Sequence, residues 1–400
     1  MTQANAVRAA PADFSSVDRL EQIGLLALIG VAAALHFSIA AAQSLLAIAI
    51  ACWLALVVIR RERVDVPRFF WPLVGLAGAT LLSAAFSSQP RVSFADCKQL
   101  LLFLIVPMTY RFAIGPRSPL ILTVIVTLGA TSAALGIFQY GILHYDNLGL
   151  RPRGVLGHYM TYSGLLMLVM GAALAQLVFG RRERLWAGLV MPALAVGIAV
   201  TFTRSAMIGA CAAAALLLAL RDLRLVAIVP LVAAVFLAIA PAGLTTRVVS
   251  MFDLSDPTNR DRVAMLSEGA RMVRAHPLVG VGPNMVEVLY PAYRGSDAVE
   301  KVNPHLHNVP LQIAAERGLP ALVLWLAFVA TVFYDLLAKA GNQPMLRAAG
   351  LAALVAMLAA GMFEHNFGDS EFLMLLLILL TLPFAAGRPT SPAPSSATHA

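Results

Sequence analysis

The sequence predicts an all-α polytopic membrane protein of about twelve transmembrane helices, with one large extramembrane segment containing a peripheral helix. Three observations predict it. Of the 400 residues, 60% are hydrophobic and only 12% charged, with a mean hydropathy of +0.80, whereas a soluble domain carries about 25% charged residues. Twelve apolar runs approach the length needed to cross a ~30 Å hydrocarbon core, where lipid leaves the backbone N–H and C=O groups no partner outside the helix itself. Basic residues are also spread unevenly between alternate loops.

In chain order the runs lie near 22–38, 41–59, 69–86, 99–114, 119–143, 158–180, 185–202, 205–220, 225–241, 319–337, 345–363 and 372–386. Residues 1–20 have mixed charge and no small-residue cleavage site, so they read as a cytoplasmic tail ahead of a retained first span. Residues 21–241 then hold spans one to nine, 242–318 the extramembrane segment, and 319–386 spans ten to twelve. The final stretch, 387–400, GRPTSPAPSSATHA, has the composition of a disordered cytoplasmic tail. Counting spans places the N-terminus, RRERVDVPR (60–68), Arg111, Arg117, RRER (181–184), Arg221, Arg224, Lys339, Arg347 and Arg388 on one side. That side holds 16 of the 29 basic residues but 8 of the 21 acidic ones. It is expected to be cytoplasmic, with both termini.

The net charge of +8 is therefore a topology signal. No Lys/Arg tract is interleaved with aromatics on a soluble face, so nucleic-acid binding is not expected. Cys52, Cys97 and Cys211 lie in or beside apolar runs without metal-ligand spacing, which predicts neither a disulfide nor a zinc site. No internal repeat suggests the inverted halves of a transporter. Walker, Rossmann and G-x-S-x-G motifs are absent too.

The segment 242–318 holds Arg247, Arg260, Arg262, Arg271, Arg274, Arg294, Lys301 and Arg317 on the side opposite the cytoplasm. Long loops tolerate such charge, but tolerance gives no purpose, and the excess points to an anionic ligand. Asp256 or Thr258 can cap a helix starting near Asn259, which Pro277 ends before a GVGPN turn (280–284). Val263, Leu266, Ala270 and Val273 predict its apolar face. Arg271 falls about 180° around this helix from Arg262, so the two are not expected to serve one site.

Within NPHLHNVPLQIAAERGLP (303–320), Pro304 and Pro310 bracket a constrained, non-helical stretch ahead of another apolar helix. His305 and His307 share a side if that stretch is extended, and imidazole, with a pKa near 6.5, can accept and return a proton near neutrality. Asn308 can fix a tautomer or bind a hydroxyl. A capping loop with interfacial histidines is the plainer alternative. An H-x-H metal pair has no third ligand nearby in sequence. In TFTRSAMIG (201–209), Arg204 stands between two apolar runs, where a charge costs at least ~2.5–3.5 kcal/mol and so usually faces a cavity or a partner. A snorkelling helix-end arginine is the other reading. Arg151, Arg153 and His158 of LRPRGVLGHYM (150–160) lie on the same side and can add anion contacts. FEHNFGDSE (363–371), with His365, Asn366 and three acids, reads as a solvated loop, with sugar-hydroxyl binding as the alternative.

These stretches together resemble the bacterial O-antigen ligase (WaaL) and O-antigen polymerase superfamily. TFTRSA resembles its Thr-x-Ser-Arg element, with Thr203 in the serine position. Arg262 with Leu266, followed by HPLVGVG (276–282), resembles its R-x3-L helix and His-Pro…Gly-x-Gly turn. His307-Asn308, nine residues and Gly318 resemble the ligase pattern, although Ala321 stands where many members have Gly, Thr or Tyr. The resemblance implies a metal-independent inverting glycosyltransferase of the membrane-embedded type, at the periplasmic face of the bacterial inner membrane. It implies a glycan on undecaprenyl diphosphate as donor and lipid A–core oligosaccharide as acceptor. His307 would be the base, Arg204 and Arg262 would bind the diphosphate, and His305, Asn308, Arg151, Arg153 and Arg271 would be secondary. A polymerase using the same donor, an oligosaccharyltransferase of the superfamily, and a lipid-linked glycan flippase are the rivals.

Overall fold

The computed structural model describes residues 16–253, 255–296, 298–338 and 343–388. The protein is an all-helical, multi-pass membrane protein, with no strand among the described residues. Every apolar run of the sequence is helical. In order these are α1 Ser16–Ala34, α2 Ile39–Arg60 and α3 Phe70–Ala85, then α4 Pro90–Asp96 and α5 Ile105–Phe112 joined by a 3-10 stretch, then α6 Arg117–Gly141, α7 Tyr159–Phe179, α8 Arg184–Ala199 and α9 Arg204–Arg221. A further 3-10 turn leads into α10 Ile228–Ile239. Residues 242–318 contribute α11 Ala242–Val249, α12 Pro257–Ala275 and α13 Val286–Tyr293, before α14 Val309–Ala338, α15 Pro344–Gly361 and α16 Ser370–Ala386 close the bundle.

Among the described residues, seven segments meet both length and composition for crossing a membrane: α2, Pro90–Phe112, α6, α7, α9, α14 and α15. Phe70–Ala85, Arg184–Ala199, Leu223–Ile239 and Ser370–Ala386 are apolar but shorter. The expected twelve are thus seven full-length spans plus shorter helices. α1 is long enough, but Asp18, Arg19 and Glu21 enter its first turns. It also begins at Ser16, inside the stretch expected to be tail. Lys339, residues 1–15 and 389–400 lie outside the described residues. The most buried helices, α7, α15 and α16, form the centre, with α15 packed on α7 and α9.

One junction fixes the geometry of the site end. α14 bends at Gly318 (φ 82°, ψ 169°), which leaves carbonyls of the preceding turn without helical donors. The loop after α12 supplies them. Val281 N–H donates to Ala315 O and Gly282 N–H to Glu316 O, both at 2.9 Å, while Leu319 N–H donates to Pro277 O at 2.8 Å. Ser83 Oγ adds a bond to Glu316 O at 2.7 Å. A Cβ at Gly280 would overlap the backbone of Glu316 and Arg317, and one at Gly318 would overlap Leu278 O. Both glycines also have positive φ, a conformation costly for other residues. The glycines of HPLVGVG and of the His-Asn pattern therefore lock one loop onto one broken helix.

The peripheral helix forms as expected, capped by Asp256, whose carboxylate accepts from Thr258 and Asn259 N–H. Its first residue is Pro257, two residues earlier than expected, because proline at that position lacks only an N–H the helix does not use. Its buried face is not the expected one. Val263 and Leu266 are 56% and 48% exposed, while Asp261, Ala264, Met265, Glu268, Gly269 and Met272 face inward. The inward carboxylates hide the apolar period. Asp261 accepts from the N–H groups of Val299 and Glu300 and from Asn303, and Glu268 accepts from Gly295 N–H. They tie down the loop that leads to the histidines.

Candidate functional site

The stretch before α14 is irregular, as the two prolines predict, but not extended at His307, whose φ is 48°. Left-handed backbone in a non-glycine residue costs of order 1–3 kcal/mol, and the surroundings enforce it. Leu306 N–H donates to Gln312 Oε1 at 2.7 Å, and Asn308 Oδ1 caps α14 by accepting from Leu311 N–H at 3.0 Å. Asn308 Nδ2 also donates to Met362 O. Asn308 therefore holds the loop and has its side chain committed to backbone.

The two histidine rings lie 4.3 Å apart and converge on Glu364. His307 Nδ1 is 3.1 Å and His305 Nε2 3.2 Å from Glu364 Oε1. Burial alone would raise the Glu364 carboxyl, but the hydrogen bonds it accepts from both histidines hold it well below the usual carboxylate range. An anionic Glu364 accepts, so His307 donates through Nδ1 and keeps Nε2 free to take a proton. The loop read as solvated thus supplies the orienting carboxylate. The signal available in sequence was an acid beside a histidine between two apolar runs, which by itself does not separate a lined cavity from a wet loop.

His307 and Glu364 border a cavity of about 300 Å³ that is also lined by arginine. Four guanidiniums line it: Arg151, Arg204, Arg247 and Arg262. Arg204, the first residue of α9 and only 4% exposed, is largely committed to protein. Its Nη1 donates to Asn259 Oδ1 at 3.0 Å, and its Nη2 to Ser250 Oγ at 2.8 Å and Asp256 Oδ2 at 3.0 Å. It staples α9 to Ser250 and the start of α12. Arg247 and Arg262 are different. Among the described residues neither forms a hydrogen bond or an ion pair through its guanidinium, and both, like Arg204, bury an unpartnered Nε. Burial, with the charges of Arg204 and Arg151, pushes Arg247 down to about 10. Burial lowers Arg262 as well, against the pull of Glu364. Arg151 stacks 4.2 Å over Tyr159. Cations crowded this way repel one another until an anion joins them.

Arg247 was counted among the basic residues of the segment but not singled out, since it lies in no motif. Two other residues named from sequence fall elsewhere. Arg153 is exposed and points at Gly157 O (3.4 Å), and Arg271 donates to Tyr293 O on the helix face away from Arg262, as its angular position predicts. His158 caps α7 through Nδ1. The three cysteines are free.

A second cavity, about 240 Å³, adjoins the first along Met160, Ser205 and Glu364 and is lined by Thr161, His305, His365 and Asp369 among apolar neighbours. An apolar groove between α14 and α15 starts at Val309, two residues past His307, and runs along Trp325, Leu326 and Met362.

Residues 189–326 match the family model described as O-antigen ligase. Over that stretch, about a third of the chain, the protein is similar to the O-antigen ligase family. The ligase-family stretch contains Arg204, Arg247, Arg262, His305 and His307, while Arg151 and Glu364 lie outside it. No curated protein matches the chain.

Proposed function

We propose that this protein is an O-antigen ligase. It transfers a glycan from undecaprenyl diphosphate to lipid A–core oligosaccharide, at the periplasmic face of the bacterial inner membrane and without a metal cofactor. One observation carries the reading: a histidine hydrogen-bonded to a buried carboxylate shares the lining of a single cavity with four arginines, two of them uncommitted. A hydroxyl must lose a proton where a diphosphate leaves, and these are the groups both events need.

In this mechanism the acceptor hydroxyl oxygen attacks the anomeric carbon from the face opposite the diphosphate, so configuration inverts. Its proton passes to His307 Nε2, a contribution usually of about 10²–10⁴-fold. The anomeric C–O bond breaks with its electron pair going to the diphosphate oxygen. Arg262 and Arg247 stabilise that charge through preorganised donors, with guanidinium geometry suited to phosphate oxygens. Arg204 holds the arginine wall in place and adds its field. The apolar groove beginning beside His307 suits a lipid chain.

The test uses purified protein in EDTA with undecaprenyl-diphosphate glycan and lipid A–core. Decorated lipid A–core from wild type and almost none from His307→Ala is the expected result. Ala321, where many ligases carry another residue, favours the polymerase as the second reading, and glycan lengthened on its own carrier would select it. An unimpaired His307→Ala would remove the base assignment.

A further inference from the structure

The atoms that orient the proposed base also have the spacing of a metal site. His305 Nε2, His307 Nδ1 and Glu364 Oε1 lie within 4.8 Å of one another, and each histidine nitrogen is 3.1–3.2 Å from the carboxylate oxygen. Ligands bound at ~2.0–2.2 Å around one Zn²⁺ sit about 3.2–3.5 Å apart, so little movement separates the hydrogen-bonded arrangement from a coordinated one. Two imidazoles and one carboxylate are the donor set of open zinc sites. Glu364 Oε2 is buried without any hydrogen-bond partner, which leaves it able to complete a bidentate contact. The third ligand that the histidine pair lacks nearby in sequence is thus supplied 57 residues downstream.

We propose that His305, His307 and Glu364 form an inhibitory site for a borderline divalent transition cation such as Zn²⁺, which competes with acceptor deprotonation. The inference rests on the reading of His307 as base. In the resting arrangement the proton of neutral His307 is on Nδ1 and the lone pair on Nε2. A cation on Nδ1 forms its bond with that nitrogen's electron pair, and the proton moves to Nε2, with no net proton gained or lost. Nε2 is then a donor and cannot accept the hydroxyl proton. Coordination and general-base catalysis exclude each other at one ring. The charge of Arg262, which interacts with Glu364, works against a cation there, so the site binds reversibly rather than as a permanent structural metal.

The experiment takes the full-length protein in detergent, stripped with chelator, and titrates it with Co²⁺ alone while recording its visible absorption. A one-equivalent tetrahedral band that Zn²⁺ displaces, present in wild type and lost in both His305→Ala and His305→Gln, supports the site. The two variants guard against a folding artefact in either. Micromolar Zn²⁺ should also lower glycan transfer by wild type at least about tenfold, reversibly with EDTA. No band, or equal binding by wild type and both variants, overturns the site. Binding without loss of transfer overturns the inhibitory role. Transfer that disappears in EDTA and returns with Zn²⁺ overturns it too, and with it the metal-free mechanism. Absence of transfer under every condition would refute the ligase reading while the Co²⁺ titration still decides the site.

Discussion

The two ends of the bundle use arginine in opposite ways. At the end carrying Ser16 and Arg388, a cluster of four arginines is matched to carboxylates. Arg111 makes a bidentate pair with Glu62 at 2.7 and 2.9 Å, Arg60 meets Glu21 at 2.9 Å, Arg117 reaches the same Glu21, and Arg388 pairs with Asp65 at 3.1 Å while stacking on Tyr110. At the cavity end, Arg247 and Arg262 have no carboxylate partner among the described residues, and their charges crowd Arg204 and Arg151. The residue type and the proximity to membrane-spanning helices are shared, so what differs is saturation. A matched network answers its own charge and serves the fold. An unmatched one is electrostatically incomplete and is finished by an anion. Arg204 belongs to both descriptions, since it is bonded to Asp256 and Asn259 yet still lines the cavity.

Substitutions can break this comparison. The largest effect is expected at the base: His307→Ala should lower glycan transfer ~10²–10⁴-fold with folding intact, and Glu364→Gln should follow it with a smaller loss, measured as turnover at equal folded concentration. Arg262→Ala should cost about 10²-fold or more in transfer while leaving thermal stability unchanged or higher, since one cation fewer relieves the crowding. Arg111→Ala should do the reverse, losing about 1–3 kcal/mol of stability with turnover per folded molecule preserved. If both arginine variants lose stability alike, the contrast between the ends fails.

Two smaller effects sharpen it. Pyrophosphate at ten times its Kd should stabilise wild type by about 1.4 kcal/mol, seen as a raised melting temperature that Arg262→Ala abolishes. The smallest effect concerns acid. Burial alone would raise the Asp256 carboxyl, but its hydrogen bond with Arg204 and that residue's charge hold it below its ordinary value. A group lowered on folding stabilises above its unfolded pKa, and the contribution disappears as pH falls through the folded one. Asp256→Asn should therefore be less stable than wild type at neutral pH, with the gap closing in acid, followed by unfolding at several pH values.

How far the site was legible depended on which residues had to meet. Arg204, Arg262 and His307 each stood out locally, one as a charge between apolar runs, one on a capped helix, one between prolines, and all three line the same cavity. Glu364 did not, because its role exists only where the loop after α15 passes the loop before α14. Arg247 was visible as charge without any sign of its address. The buried face of α12 was misread for a related reason: Asp261 and Glu268 point inward to accept from the 295–303 loop, so polar residues occupy the side an apolar period would mark as core.

By itself the sequence determined the helices, because a hydrocarbon environment forces each long apolar run to satisfy its own backbone bonds, and it determined where charge gathers, because charge is excluded from those runs. It also marked the GVGPN turn, whereas the close approach that excludes a Cβ at Gly280 and Gly318 comes from packing. The tertiary structure decided which carboxylate meets which cation. That pairing depends on loops separated by tens to hundreds of residues arriving at one end of the bundle, and on which arginines find an acid there. Whether an arginine is a staple or an anion site is a property of its neighbours, and neighbours are fixed by packing.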